Sequence, residues 1–309
     1  MPADPAVHRG LSVFERGWLS SNNVLLAGDG EGAVLVDSGH CVHAQQTVQL
    51  VRHGLRGEPL DGVVNTHLHS DHCGGNAALQ REFGARLRIP PGQWQAVVDW
   101  DEQALSYAAT SQRCERFVPQ ARVEPGSTLR VGRRAWQVLA APGHDPHSVV
   151  LYDDAHGVLI SADALWEHGF GIVFPELAGE PGFDDVAATL DLIAGLDARW
   201  VIPGHGAPFA DVAGALARAR ARLATMRADP ARHLRYAAKV LLKYHLMEVR
   251  SQALPQLQAW LVDTPYLREA WGRLGHPAGS LVGWGDALLA ELAAGGALAL
   301  RDGVVHDAG

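Results

Sequence analysis

Between positions 67 and 72 the chain places three histidines and an aspartate, in the run Thr66-His67-Leu68-His69-Ser70-Asp71-His72-Cys73-Gly74-Gly75. Neutral imidazoles and a carboxylate are the donors that zinc, iron or manganese takes. Val63-Val64 just upstream reads as the end of a buried strand, and Gly74-Gly75 as a loop entering a helix. Polar side chains crowded onto such a loop are placed to converge on something bound there. A solvated, His-rich turn is the plainer account, but it leaves the later part of the chain unexplained. Asp37 in Leu35-Val36-Asp37-Ser38-Gly39, His144 in Pro142-Gly143-His144-Asp145-Pro146-His147, Asp163 in Ser161-Ala162-Asp163 and His205 in Pro203-Gly204-His205-Gly206 also each follow a β-rich run. Acidic or histidine clusters at successive strand ends describe a site assembled along one edge of a sheet system. Cys73 lies inside the first motif, where its neighbours already supply donors, so it reads as a small buried thiol.

The elements that must carry these residues are legible in outline. Residues 11–14, 24–27, 33–36 and 60–65 read as strands, with 44–53 as a helix between the last two. Pro90-Pro91-Gly92 breaks the chain. One helix is expected over 93–107, with Trp94, Val97, Trp100 and Leu105 inward; Trp94, Trp100 and Tyr107 are candidates for one wall of a pocket. Strands return at 128–131, 135–140, 148–152 and 158–161, then a helix at 183–196 and a last strand at 200–202. After about residue 211, alanine, leucine and arginine dominate. Helices are expected over 212–227, over 230–249 behind the cap-and-proline pair Asp229-Pro230, over 266–274 and over 284–294, with an Asp-Gly hairpin at the end.

Composition sets limits. The chain has 309 residues, 47% hydrophobic and 19% charged, which describes a globular protein of one large domain or two ordinary ones. No apolar run approaches the roughly 20 residues of a membrane span. Residues 1–10 carry no signal-peptide core, so a cytoplasmic protein is expected. Three scattered cysteines make no disulfide framework. The net charge of −8 is uneven: residues 214–250 hold nine Arg or Lys against two acids, a local +7, which leaves −15 for the remainder. A polyanion-binding surface on the main body is therefore unfavoured, while a solvated helix face is the simpler account of the basic stretch.

Taken together, the motifs resemble the five ordered motifs of the metallo-β-lactamase-fold superfamily, over roughly residues 11–210. The resemblance implies an α/β (α+β) fold: an αββα sandwich with metal at one edge as the catalytic domain, residues 1–213, and a mainly helical, winged-helix-like subdomain over 214–309. It implies two divalent metal ions per chain, zinc first, with iron or manganese as alternatives. His67, His69 and His144 would hold one ion, Asp71, His72 and His205 the other, and Asp163 would bridge them. Asp37 would fix a donor or a loop by hydrogen bonds. His147 would support a donor or face the substrate. A hydroxide shared by two ions is a nucleophile at neutral pH, and Asp71 could orient it and return a proton. True β-lactamases generally lack the bridging aspartate, so Asp163 makes the chain more similar to hydroxyacylglutathione thioesterases, lactonases and the nuclease branch.

The substrate must be read from the surroundings. The aromatic stretch 164–176 follows Asp163 directly, and Trp166, His168, Phe170 and Phe174 are the candidates for contact with a small-molecule substrate. A small ester, thioester or lactone is the expected class. Two alternatives stand beside it. Arg218, Arg220, Arg222, Arg227, Arg232, Arg235, Lys239 and Lys243 could serve the phosphates of RNA, against the acidic balance of the catalytic part. A single iron held by the same donor types could oxidise a persulfide. The apolar positions Leu234, Val240, Leu241, Leu242, Leu246 and Met247 exceed what an isolated surface helix needs, so the C-terminal region is expected to pack on the core and shape the pocket or a homodimer interface.

Overall fold

The computed structural model describes residues 9–308, so the reading of the first eight residues lies outside it. The first half of the chain runs β1 (Leu11–Phe14), β2 (Asn23–Leu26), β3 (Ala33–Val36), α1 (Ala44–Leu55), β4 (Leu60–Val64), α2 (Ser70–Cys73), α3 (Asn76–Phe83), β5 (Arg86–Ile89), α4 (Trp94–Asp99), α5 (Tyr107–Thr110) and β6 (Ala121–Arg122). Its strands form one sheet in sequence order, antiparallel up to β3 and parallel from β3 to β6. The second half runs β7 (Thr128–Val131), β8 (Arg134–Ala140), β9 (Val149–Asp153), β10 (Val158–Ala162), α6 (Phe174–Leu177), α7 (Phe183–Ala194) and β11 (Trp200–Pro203), and its sheet has the order β11-β10-β9-β8-β7.

Side-chain alternation explains the layering. In β2 to β4, Leu25, Leu35 and Val63 turn outward to α1 and α3, while Val24, Leu26, Val34, Val36 and Val64 turn inward to Trp136, Val138, Val149, Leu151 and Ile160 of the second sheet. The outer face of the second sheet, with Val150, Tyr152, Leu159 and Val201, is covered by α7 and by the following helix α8 (Val212–Ala228) through Leu190, Ile193, Leu216 and Leu223. The result is helix, sheet, sheet, helix: an αββα sandwich.

The rest of the chain is α9 (Pro230–Val249), β12 (Ser251–Ala253), α10 (Leu254–Asp263), α11 (Pro265–Arg273), α12 (Leu281–Ala294), β13 (Leu298–Arg301) and β14 (Val304–Asp307). The three short strands pair in the order β12-β14-β13, which gives a winged-helix-like succession of strand, three helices and hairpin. Asp229 caps α9 by accepting from the backbone N–H of Arg232 at 3.0 Å, with Pro230 in the first turn as the cap-and-proline pair requires. Leu241, Leu242 and Leu246 of α9 pack against Leu257, Leu261, Trp284 and Leu288, which accounts for its surplus of apolar positions.

The expectation of one helix over 93–107 is corrected. α4 stops at Asp99, because Trp100 adopts a left-handed backbone with φ 57°, and the Asp101 carboxylate then accepts from the backbone of Gln103 and Ala104 in a turn. Trp94, Trp100 and Tyr107 do not form a pocket wall either. They pack into the core beneath the first sheet, where Trp100 meets Phe117 edge-on at 5.4 Å. β5, β6, β12 and α10, with the short helices α2 and α6, are additions to the expected elements.

Candidate metal centre and its cavity

The residues singled out for chemistry all follow the C-terminal ends of strands. Asp37 follows β3, residues 65–72 follow β4, residues 141–148 follow β8, Asp163 follows β10 and His205 lies just after β11. Two of these corners are strained: Asp37 has φ 58° and Ala162 has φ 46°. Such conformations persist only where the surroundings enforce them. At Asp37 the enforcement is visible. Its Oδ1 accepts from the Thr66 backbone N–H at 2.9 Å, and its Oδ2 accepts from the Thr66 hydroxyl at 2.8 Å and from His72 Nδ1 at 2.8 Å. One carboxylate thus ties two strand ends together and, by accepting a hydrogen bond from Nδ1–H, turns His72 Nε2 toward the other donors. His144 is fixed in the same sense, its Nδ1 donating to the Ile172 carbonyl at 2.5 Å.

Two buried donor groups result: His67, His69 and His144, and Asp71, His72, Asp163 and His205. Within each group the ligand atoms lie within 4.8 Å of one another. Asp163 reaches both, with its Oδ1 3.4 Å from His72 Nε2 and its Oδ2 3.3 Å from His144 Nε2. His205 Nε2 lies 3.0 Å from Asp71 Oδ2. Gly204 lets the strand end pass this close, since a Cβ there would fall 2.2 Å from Asp163 Oδ1.

The electrostatics separate the two groups. Burial holds the His67 imidazole well below its usual pKa, helped by the neighbouring histidines. Burial, reinforced by His144, brings His69 down to about 4. Burial also penalises charge on His72, but Asp163, Asp37 and Asp71 outweigh it and raise that ring well above the usual value. The carboxyls move the other way: against burial, His72 and His205 draw Asp71 down to about 2 and hold Asp163 well below the carboxylate range.

A divalent ion fits these residues. His67 Nε2 and His72 Nε2 are buried with no hydrogen-bond partner, and His69 Nδ1 faces His144 Nε2 at 2.8 Å, two ring nitrogens directed at each other. Buried polar atoms are rarely left unmatched, and neutral imidazole nitrogens beside carboxylates are the donors that such ions take.

His69, Asp71, His144, Asp163 and His205 form the floor of a cavity of about 720 Å³, with His67 and His72 buried out of its lining. Trp166, His168 and Phe174 line it as the sequence suggested, whereas Phe170 is buried beneath it. Phe174 lies 4.3 Å from the His69 ring. His147 is outside the lining: it is exposed and packs against Gly92, because its backbone N–H is turned toward Asp145 Oδ1 at 2.8 Å. Several residues are additions. Trp18 stacks on His205 at 5.3 Å and meets Trp166 edge-on at 5.4 Å. Asp145 is buried with an oxygen 3.9 Å from His69 Nε2. The opposite wall is α9, through Tyr236, Val240, Tyr244 and Met247. Only the helical spacing of these four residues announced a common face.

Six of the eight basic residues named on α8 and α9 are held in ion pairs. Arg218 pairs with Asp211, Arg220 with Asp191, Arg227 with Asp184, Arg235 and Lys239 with Glu291, and Lys243 with Asp307. In the winged-helix-like unit, α12 carries Asp286 and Glu291 and no Lys or Arg. No helix among the described residues is long and apolar enough to cross a membrane.

Comparison with known proteins follows the same lines. A hydroxyacylglutathione hydrolase of Anaeromyxobacter dehalogenans is 31% identical over 238 residues, covering 74% of this chain and 81% of the relative. The hydroxyacylglutathione hydrolase of Acidiphilium cryptum is 29% identical over 191 residues, 62% of this chain and 66% of its own length. With the relative of the same name from Bradyrhizobium sp. (strain ORS 278), the match spans 39% of that protein's length. The crystal structure of a metallo-beta-lactamase family protein from Thermus thermophilus superposes with a TM-score of 0.58 at 22% identity, over 97% of this chain and 99% of that one, and shares the fold. The family described as the metallo-beta-lactamase superfamily matches residues 16–205, and the chain belongs to it.

Proposed function

We propose that this hydrolase cleaves a small acyl compound, an ester, thioester or lactone, at two metal ions held by the donor groups described above. The observation that carries the reading is that both donor groups open onto one cavity whose other walls are mainly aromatic and aliphatic. His67, His69 and His144 would hold one ion, Asp71, His72 and His205 the other, and Asp163 both, with zinc as the first choice of metal. When bound, such ions supply Lewis acidity toward water and toward an acyl carbonyl. The chain's own residues do the rest. Asp37 holds the His72 ring by its Nδ1 proton, so that Nε2 stays available. Asp71 lines the cavity and, as a carboxylate, would accept a proton from the attacking water and return it to the leaving group. Trp18 and Trp166 shield His205 and thin the solvent around the reacting atoms. Residues 1–213 would carry the chemistry, and residues 214–309 would close the cavity through α9.

Relatives carrying the name hydroxyacylglutathione hydrolase support the thioester class. The pairing of the basic residues on α8 and α9 weighs against RNA. The test is metal analysis of the purified protein together with a hydrolysis screen over thioesters, lactones and phosphodiesters. Two metal equivalents and turnover of an acyl substrate are expected. A single iron, oxygen uptake with a persulfide and no acyl hydrolysis would replace this reading with the redox one.

A further inference from the structure

The chain's three cysteines, Cys41, Cys73 and Cys114, lie far apart in sequence and come together in the fold. Cys73 ends α2, directly after the donors Asp71 and His72, yet it is absent from the cavity lining and belongs to the core beneath the first sheet. Its Sγ lies 3.8 Å from the Sγ of Cys114, on the loop that follows α5. Cys41, just after β3, reaches the same loop, with its Sγ 3.4 Å from the Arg113 carbonyl.

The contacting pair is asymmetric. The Cys73 thiol is fully buried, enclosed by the Leu68 and His69 carbonyls at 3.4 and 3.3 Å and by the Tyr107 hydroxyl at 3.1 Å. Burial, reinforced by Cys114, pushes it well above its usual value. Burial and Cys114 likewise push Cys41 up to about 11. Thiols kept protonated in this way react slowly with reagents from solution. Cys114 is half-buried between the exposed residues Arg113 and Glu115, so a small oxidant reaches the pair through it. The two sulfurs must close from 3.8 Å to about 2.05 Å to bond, and the surface loop is the side free to shift.

We propose that Cys73 and Cys114 are a redox-active dithiol, which a hydroperoxide converts to a disulfide that ties residues 111–116 to α2. The proposal is independent of the acyl-hydrolase reading. The Cys114 sulfur attacks one peroxide oxygen, the O–O bond breaks, and a sulfenic acid and water result when the oxidant is hydrogen peroxide. The Cys73 sulfur then attacks the sulfenic sulfur, the S–O bond breaks, and the hydroxide leaves with the Cys73 proton as a second water. Two thiols lose two electrons in all, and one peroxide takes them up. Contact between the sulfurs offsets the weak acidity of Cys73. The tied loop carries Gln112, which lines the cavity and accepts from the Ser70 hydroxyl at 2.7 Å, and Arg113, which pairs with Glu248 of α9. The bond therefore fastens one edge of the cavity.

The test treats the full chain with a slight molar excess of hydrogen peroxide and blocks the remaining thiols with an alkylating reagent. Digestion without reductant and mass spectrometry then read the linkage. Two of the three thiols should be lost, a linked pair of peptides should carry Cys73 and Cys114, and Cys41 should be alkylated; dithiothreitol should restore all three thiols. Cys41→Ser should still form the link. Tryptic cleavage after Arg113 and Arg116 should slow by about ten-fold in the oxidised wild type and stay unchanged in peroxide-treated Cys114→Ser. Cys73→Ala serves as that control if the serine variant does not fold. Three intact thiols, Cys114 carried to a sulfinic acid beside a free Cys73, or a link between Cys41 and Cys114 overturns the proposal. A Cys73–Cys114 link that leaves tryptic cleavage unchanged overturns the tie to the loop.

Discussion

The cavity has a floor and a wall, and they are built differently. The floor consists of donors on strand-end loops, several of them held by hydrogen bonds from another strand end, as Asp37 on one loop holds Thr66 and His72 on the next. The wall is one face of α9, whose Tyr236, Val240, Tyr244 and Met247 project from a helix that is anchored from behind by Leu242 and Leu246. A floor residue is fixed by several partners at once, so its replacement disturbs the whole donor group. Apart from Tyr244, whose hydroxyl reaches Leu19 and Ser70, a wall residue is fixed by its helix, so its replacement changes the shape of the cavity and little else. Damage to the floor should therefore appear as lost metal and lost turnover whatever the substrate, and damage to the wall as altered substrate range.

The sharpest way to break that division is at Asp163. Asp163→Ala removes the carboxylate that approaches both donor groups, and turnover should fall by about three orders of magnitude or more, with metal content reduced. Metal analysis beside kcat checks it; full loading with undiminished turnover would mean that Asp163 is not shared. Asp37→Asn should cost less, about ten- to a hundred-fold in metal affinity or activity, because the donors remain but the His72 ring loses the carboxylate that accepts its Nδ1–H.

The floor was the legible part of the molecule. Its donors come in short local motifs, and each motif follows an apolar run, so both the chemistry and the strand that positions it can be read together. The αββα layering came from the resemblance that those motifs carry, not from the runs themselves. The wall was not legible in this way. The apolar surplus of α9 said that the helix must be covered, but period alone does not say whether a face meets a core or a cavity. The same ambiguity misplaced Trp94 and Trp100, whose inward spacing turned out to serve the core beneath the first sheet. Arg222 was visible only as one of a run of basic residues. What distinguishes it is its contact with the Phe170 and Tyr236 rings beside the cavity, a property of residues far apart in sequence. Trp18 is a similar case, since its neighbour His205 lies at the other end of the sandwich sequence.

The floor also predicts a pH dependence for the metal-free protein. Burial lowers the pKa of His67 and His69, and likewise of His40, His43, His233 and His245. Each binds its proton more readily when unfolded, so each contributes stability that is present above the unfolded value near 6.5 and lost as the pH falls through its folded value, about 4 for His69. His72 has the opposite sign, but its contribution is already complete below pH 6.5. Asp71, drawn down to about 2, keeps its contribution above the usual carboxylate range. Urea midpoints of the metal-free protein should therefore fall steadily from pH 6.5 to pH 4. A flat or rising midpoint would show that the imidazoles of the floor are not held neutral by burial.

The wall should respond more mildly. Met247→Ala enlarges the cavity away from the donors, and KM is expected to change by roughly three- to ten-fold in a manner that depends on acyl chain length, with kcat little altered. A large fall in kcat with every substrate would erase the distinction between floor and wall.

The smallest effect is expected behind the wall, and it asks what holds α9 in place. Arg235 and Lys239 both reach Glu291 of α12, where all three side chains are substantially exposed. Ion pairs of this kind contribute about 0–1 kcal/mol, because water screens them and ordering two long side chains offsets the attraction. Leu241, Leu242 and Leu246, by contrast, are buried against Leu257, Leu261 and Leu288, and burial of such side chains contributes about 1.5–3 kcal/mol each. If packing positions the helix, Glu291→Ala should shift Tm by only about 1–3 °C and leave the order of preferred substrates unchanged. Both are read from a melting curve and a substrate panel. A Glu291→Ala variant with a reordered panel would mean that the ion pairs set the position of α9, and that the wall, like the floor, is held by its polar contacts.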